Sequence, residues 1–144
     1  MNILAAVDFS AVTGEVLAAL RRIGAAMPAK VWLVHVAPPE PDFVGYGAGP
    51  DVVRGQVATE QRTWHQKLQQ LADQLRADGV ETTALLLQGA TVATLIAEAE
   101  KLEAGLIVLG SHGHGAMYDL LVGSVAEGVV RRSTVPVLLV PARQ

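Results

Sequence analysis

The stretch Leu106-Ile107-Val108-Leu109-Gly110-Ser111-His112-Gly113-His114-Gly115, continuing through Ala116 to Val122 and ending at Gly123-Ser124, decides how the chain is read. Four apolar residues without a polar break describe a strand buried on both faces. Glycines then open a loop, and a helical pattern starts near Ser124. Glycine lets a backbone take positive φ and approach a ligand closely. A helix N-terminus presents free N–H groups and a partial positive charge. Strand, glycine loop and helix start together describe a place where backbone amides can hold a phosphate. Ser124 is expected either to cap the helix or to donate its hydroxyl to a phosphate oxygen. The same glycines also serve ordinary turns and caps, and their spacing alone does not separate the two uses.

Outward from this stretch, strands and helices alternate. Ile3–Val7 is an apolar run closed by Asp8, and Ser10 is expected to cap the next helix. Val12, Val16, Leu20, Ile23 and Met27 mark one face of that helix, which Pro28 ends. Val31–Val36 is a second strand, stopped by Pro38-Pro39. A loop from Ala37 to Pro50 carries Gly45, Gly47 and Gly49. Val53, Val57, Trp64, Leu68, Leu71 and Leu75 share a face of a long helix, with Gly79 as its expected C-terminal cap. Thr82–Leu87 is the third strand. Thr91 is expected to cap a helix bearing Val92, Leu95, Ile96 and Ala99, with Gly105 ending it. Leu106–Leu109 is the fourth strand and Val135–Val140 the fifth.

Alternation of this kind gives right-handed βαβ units and a parallel sheet covered on both faces. In an open sheet the ligand lies beyond the carboxyl ends of the strands, where strand order reverses. That selects Asp8, the Val36–Pro38 turn, Gly89 and the Gly110 loop.

Composition sets the bounds. The chain has 144 residues, enough for one domain with a core. Apolar residues make up 51% and aromatics only 4%, so the core must rest on aliphatic side chains. The net charge of −3 is unlike a nucleic-acid binder, and only Arg131 and Arg132 are expected near the anion site. The absence of cysteine excludes disulfides, thiolate metal sites and cysteine nucleophiles. The N-terminus lacks a basic segment and places Asp8 early, which is unlike a signal peptide. No apolar run reaches the ~18 residues of a membrane span. A cytoplasmic protein with no membrane or nucleic-acid partner is expected.

Two familiar phosphate motifs are missing. The Gly-x4-Gly-Lys-Ser/Thr loop needs a lysine, and Lys30, Lys67 and Lys101 lie in no glycine loop. No Gly-x-Gly-x-x-Gly follows a strand, since Gly113-His114-Gly115 runs on into Ala116-Met117-Tyr118.

Gly110, Gly113, Gly123 and Ser124 do stand in the register Gly-x2-Gly-x9-Gly-Ser. Here the chain resembles the universal stress protein family. Ile3–Ser10 resembles the family's first strand with its Asp and Ser, Leu33–Val36 its second, and Ile107–Gly113 its fourth. Leu121–Glu127 and Val135–Pro141 resemble its closing segments.

The resemblance implies one Rossmann-like domain over residues 1–144, an open five-stranded parallel sheet in the order 3-2-1-4-5. It implies ATP, or AMP or ADP, in the cleft. By position Asp8 would contact the nucleotide, directly or through Mg²⁺ riding on the phosphates, the alternative being an aspartate that caps its own loop. Val36 would meet the adenine through its backbone. Leu109, Gly110, Gly113, Gly123, Ser124 and Val125 would surround ribose and phosphates. Family members usually form homodimers through the last strand. Val135–Val140 fits that use, because Pro136 suits an edge and an apolar edge must be paired or else buried under the last helix.

Three positions depart from the family. Ala6 replaces a frequent proline, Gly89-Ala90-Thr91 a Gly-x-Pro turn, and His114 a basic residue. Histidine is mostly uncharged at neutral pH, so the last change weakens phosphate neutralisation. His112 and His114 would need further ligands to hold a metal, which His35 or Asp119 would supply only by coincidence. Phosphate contact is the better reading for one of them, and His65 is expected in solvent. Phe43 and Tyr46 sit in the long loop, which either closes over the adenine or simply connects.

The phosphate cradle has no catalytic lysine, arginine finger or evident base. A nucleotide-binding stress-response module is therefore the leading expectation. The alternatives are a slow Mg²⁺-dependent ATPase using Asp8, and an interaction scaffold with an empty cleft.

Overall fold

The structure, a computed structural model, describes residues 1–39, 50–112 and 122–142, with backbone only over 50–57. The elements alternate strictly. They are β1 (Asn2–Ala6), α1 (Thr13–Ala26), β2 (Lys30–Ala37), α2 (Pro50–Ala77), β3 (Glu81–Gln88), α3 (Thr91–Lys101), β4 (Leu106–Gly110), α4 (Ser124–Arg132) and β5 (Val137–Val140). All strand pairs are parallel, in the order β3-β2-β1-β4-β5. The expected fold and strand order are therefore those observed.

Side-chain alternation divides the core into two layers. Ile3, Ala5, Leu33 and Val108 point to one face, against Val16, Leu20, Leu68 and Leu75 of α1 and α2. Leu4, Val34, Ile107 and Leu109 point to the other, against Leu95, Ala99, Ala126 and Val129 of α3 and α4. Both faces are covered, so the strands read as unbroken apolar runs. Val53 and Val57 of the long helix have side chains outside the described ones. Most of the Ala37–Pro50 loop, from 40 to 49, is also outside.

Several local expectations are corrected. Helix α1 starts at Thr13 with Val12 at its N-cap and no side-chain cap. The Ser10 N–H is held by Asp8 Oδ1 at 3.0 Å, so the chain makes an Asx turn before the helix. Ser10 contributes only its carbonyl, to Thr13 N. Thr91 is already helical, because the chain turns two residues earlier at Gly89, φ +143°, and Ala90 takes the N-cap. Ser124 is likewise the first helical residue, behind Gly123 at the N-cap.

Helix α3 ends at Lys101, well before Gly105. Glu103 adopts φ +52°, and the Ala104 and Glu103 amides bond back to Ala99 and Glu100. This is the paired-bond helix ending that glycine usually provides. Gly105 is small because a Cβ there would lie 3.1 Å from Met1 Cγ. At the end of the apolar face of α1, Met27 is exposed. The fifth strand is shorter than expected. Ser133 Oγ bonds both the N–H and the carbonyl of Val135, which keeps Val135 in a turn. The Pro136 carbonyl then accepts from Ile107 N as β5 begins.

Candidate functional site

The sheet brings the expected residues to one end. Ala6 of β1 pairs with Val34 on one side and Leu109 on the other. Asp8 therefore follows the middle strand just where Val36 and Gly110 leave its neighbours. This is the point at which strand order reverses.

Backbone direction at Val36 follows from the ladder. Val34 accepts a bond from Val7 N at 2.9 Å, so its carbonyl points toward β1. Groups two residues apart on a strand point the same way. Val36 therefore directs its amide and carbonyl to the same side, past the last residue of β1. A planar base with a donor and an acceptor edge could be read there by backbone alone.

On the other side, Ser111 N donates to Val140 O at 2.8 Å, extending the β4–β5 ladder by one residue. Gly123 N donates to Ser111 O at 2.6 Å. This bond joins the two ends of the glycine stretch and sets α4 against the end of β4. The first bond into α4 is Glu127 N to Gly123 O, so the helix offers no acceptor to the amides of Ser124, Val125 and Ala126. Ser124 and Val125 are exposed, and no side chain caps the helix. Among the described residues, these three amides and the Ser124 hydroxyl meet no partner, whereas the Gly123 amide is used internally.

Gly110 has a second reason to be glycine. A Cβ on it would overlap Val12 Cγ1 of the α1 entry and lie 3.2 Å from His112 O. Leu109 is buried in the α3/α4 layer, so only its backbone can serve a ligand. Gly113, like His114 and Asp119, lies outside the described residues.

Arg131 and Arg132 are not at the anion site. They occupy the last turn of α4, roughly 10 Å along the axis from Ser124 at 1.5 Å per residue, and Arg131 pairs with Glu127. His112 Nδ1 lies 3.0 Å from Ser111 Oγ. His65 is exposed on α2. Among the described residues no group of three or more His, Cys, Asp or Glu could hold a metal ion.

Sequence reasoning missed the surroundings of Asp8. Phe9 sits at φ +61°, a region that costs a bulky L-residue about 1–2 kcal/mol. Its ring centre lies 4.6 Å from that of His35, tilted by 46°, and the His35 ring also lies 5.6 Å from Trp64 of α2. Lys67 Nζ lies 5.7 Å from the Phe9 ring centre. His35 Nδ1 is 2.9 Å from Val7 O and, facing a carbonyl, must carry the proton. Ser10 Oγ and Thr13 Oγ1 are buried with no partner among the described residues. No residue-type signal marks Phe9, because the left-handed conformation usually belongs to glycine or asparagine. The scarcity of aromatics was the one available hint.

The universal stress protein family model matches residues 1–141. This chain belongs to that family. A universal stress protein of Thermus aquaticus is 30% identical over 145 residues, covering 96% of this chain and 97% of its own length. The solved structure of MJ0577 from Methanocaldococcus jannaschii superposes with a TM-score of 0.84 at 21% identity, over 99% of this chain and 96% of that one. A universal stress protein solved in complex with cAMP superposes with a TM-score of 0.70 at 25% identity, over 99% and 98% of the two chains. No helix among the described residues is long and apolar enough to cross a membrane.

The site fits an adenine nucleotide on its own chemistry. Amides and a hydroxyl free of helical partners suit a phosphate, and the Val36 edge suits a base. Asp8 has one carboxylate oxygen turned to Ser10 N.

Proposed function

We propose that this member of the family binds ATP, or AMP or ADP, and works as a nucleotide-responsive module in the stress response. The observation that carries this reading is the Gly123 N to Ser111 O bond. It closes the glycine stretch on itself and presents the uncapped start of α4 beside the ends of β1 and β4. The cAMP complex of a relative supports an adenine nucleotide as the ligand class.

In this reading the Ser124, Val125 and Ala126 amides and the Ser124 hydroxyl hold phosphate. The Val36 backbone meets the adenine. Leu109, Gly110 and Gly113 border the ribose and phosphates. Asp8 contacts the nucleotide directly or through a Mg²⁺ that the phosphates bring. The groups described supply no catalytic lysine or arginine at the phosphates. The bound nucleotide would therefore change conformation or partner choice, without fast turnover. The protein would act in the cytoplasm as a homodimer joined along Val135–Val140. The last strand lies at the sheet edge, and Leu138 is exposed on it.

The test has two parts. Denaturing the purified protein and chromatographing the supernatant should release an adenine nucleotide. Calorimetry of stripped protein with Mg-ATP should show saturable binding. No released nucleotide together with no heat of binding would defeat the reading.

A further inference from the structure

We propose that His35 is a positioning residue for Asp8, acting through the bond from its Nδ1–H to Val7 O; this rests on the reading that Asp8 contacts the nucleotide.

Val7 is the last residue that β1 ties to its neighbour, through Val7 N to Val34 O. Beyond it, ladder bonds no longer hold the chain. Its direction at Asp8 depends on what fixes the next peptide groups. Among the described residues, three contacts bear on this. His35 Nδ1 holds the Val7 carbonyl, which belongs to the peptide plane leading into Asp8. Asp8 Oδ1 holds Ser10 N. The Phe9 ring, in its left-handed conformation, lies against the His35 ring.

A left-handed phenylalanine persists only where its surroundings over-determine it. His35 supplies two of those constraints from one side chain. It is a β2 residue facing the α1/α2 layer, and its ring is backed by Trp64 of α2. The imidazole thereby joins β1 and β2 at the point where β1 ends before Asp8 and β2 runs on through Val36. Rotation of the Val7–Asp8 peptide would break the bond to Nδ1. It would also swing the carboxylate away from Ser10 N.

His35→Phe keeps a ring and removes the donor. His35→Asn places an amide nitrogen where Nδ1 stands and removes the ring. Amide hydrogen exchange without nucleotide and calorimetry with Mg-ATP are measured on wild type, both variants and Asp8→Ala.

In His35→Phe the Ser10 amide should exchange about tenfold faster and Mg-ATP should bind about tenfold more weakly, as for one lost hydrogen bond. The Val7 amide, bonded to Val34, should keep its protection, showing an intact strand. His35→Asn should stay within about threefold of wild type on both measures. Wild-type Ser10 exchange in His35→Phe, or equal losses in the two variants, would overturn the proposal. If wild type binds no Mg-ATP, or Asp8→Ala binds it normally, the nucleotide reading of Asp8 fails. The Ser10 exchange rates still decide the role of His35 in that case.

Discussion

The two ends of the sheet are built differently. At the amino end the backbone is closed. Lys30 N bonds Met1 O, Gly105 N bonds Asn2 O, and the Asn2 side chain bonds Leu102 O. Helices α2 and α3 finish there with paired bonds, Val80 and Gly79 reaching back to Leu75 and Arg76, and Ala104 and Glu103 to Ala99 and Glu100. At the carboxyl end, α1, α3 and α4 all begin without a side-chain cap. Two hydroxyls there, Ser10 and Thr13, are buried without a partner among the described residues. The third such atom among the described residues is Trp32 Nε1, on the α3/α4 face. A missing cap costs about 1 kcal/mol. Among the described residues, three helices thus begin with open backbone donors at one end, that of α4 where the ligand is proposed to bind, and the other end is left to hold the fold.

The largest effect should come from Gly110. An added Cβ overlaps Val12 Cγ1 and presses on a backbone carbonyl, neither of which yields easily. Gly110→Ala should cost about 1–3 kcal/mol, read from the shift of a denaturant transition. Adding Val12→Ala makes room, so the double variant should lose less than the sum of the single losses. Simple additivity would mean that packing is not what requires glycine there. Gly123→Val separates ligand from fold. Gly123 has φ −72°, which any residue adopts, so the protein should remain folded. A branched side chain at the start of α4 crowds the phosphate, and Mg-ATP affinity should fall at least about tenfold. Unchanged affinity in a folded variant would remove the phosphate from α4.

How far the sequence predicted these features follows the physics. The apolar runs from Ile3, Val31, Leu106 and Val135 were readable because a sheet covered on both faces leaves no polar break. That Asp8, Val36, Gly110 and Gly123 stand at one end of the sheet was readable because strand ends and glycines leave compositional marks. Boundaries were less legible. Ser10, Thr91 and Ser124 are all good capping residues, yet none caps, because capping depends on one extended residue at the right step. Ser10 is already bound into the Asx turn, and the other two lie one residue too late. The link from His35 to Phe9 joins residues 26 positions apart in sequence. Only the folded backbone brings them together.

The amino end offers an internal contrast. Gly79 and Glu103 hold the same position after α2 and α3, both with positive φ. Gly79→Ala should destabilise by about 1 kcal/mol, because alanine resists that conformation. Glu103→Gly should stabilise by about 0.5–1 kcal/mol for the same reason, reduced by the added freedom of glycine in the unfolded chain. Denaturant midpoints moving in opposite directions would show that helix closure at this end is a backbone matter. A loss on Glu103→Gly would point instead to a contact of the carboxylate.

The smallest expected effect tests whether the open end can be closed. Of the three uncapped starts, Val12 is at φ −74°, ψ −11°, a helical conformation from which a side chain cannot reach forward to cap. Ala90 and Gly123 are extended, at ψ 125° and 165°, as a capping residue must be. Gly123 adjoins the phosphate position, so Ala90 is the site where a cap can be added with least disturbance of the ligand. Ala90 is also exposed, and an aspartate there needs no burial. Ala90→Asp should stabilise by about 0.5–1 kcal/mol, through a bond to an amide of the first turn and the favourable charge at the helix start. The gain should shrink as the aspartate is protonated, between about pH 5 and pH 3. Aspartate is ionised above its ordinary pKa, and only the ionised form supplies the favourable charge. A gain in stability with unaltered Mg-ATP affinity would show that α3 is open without serving the ligand. A gain accompanied by weaker binding would place the start of α3 within the nucleotide's field.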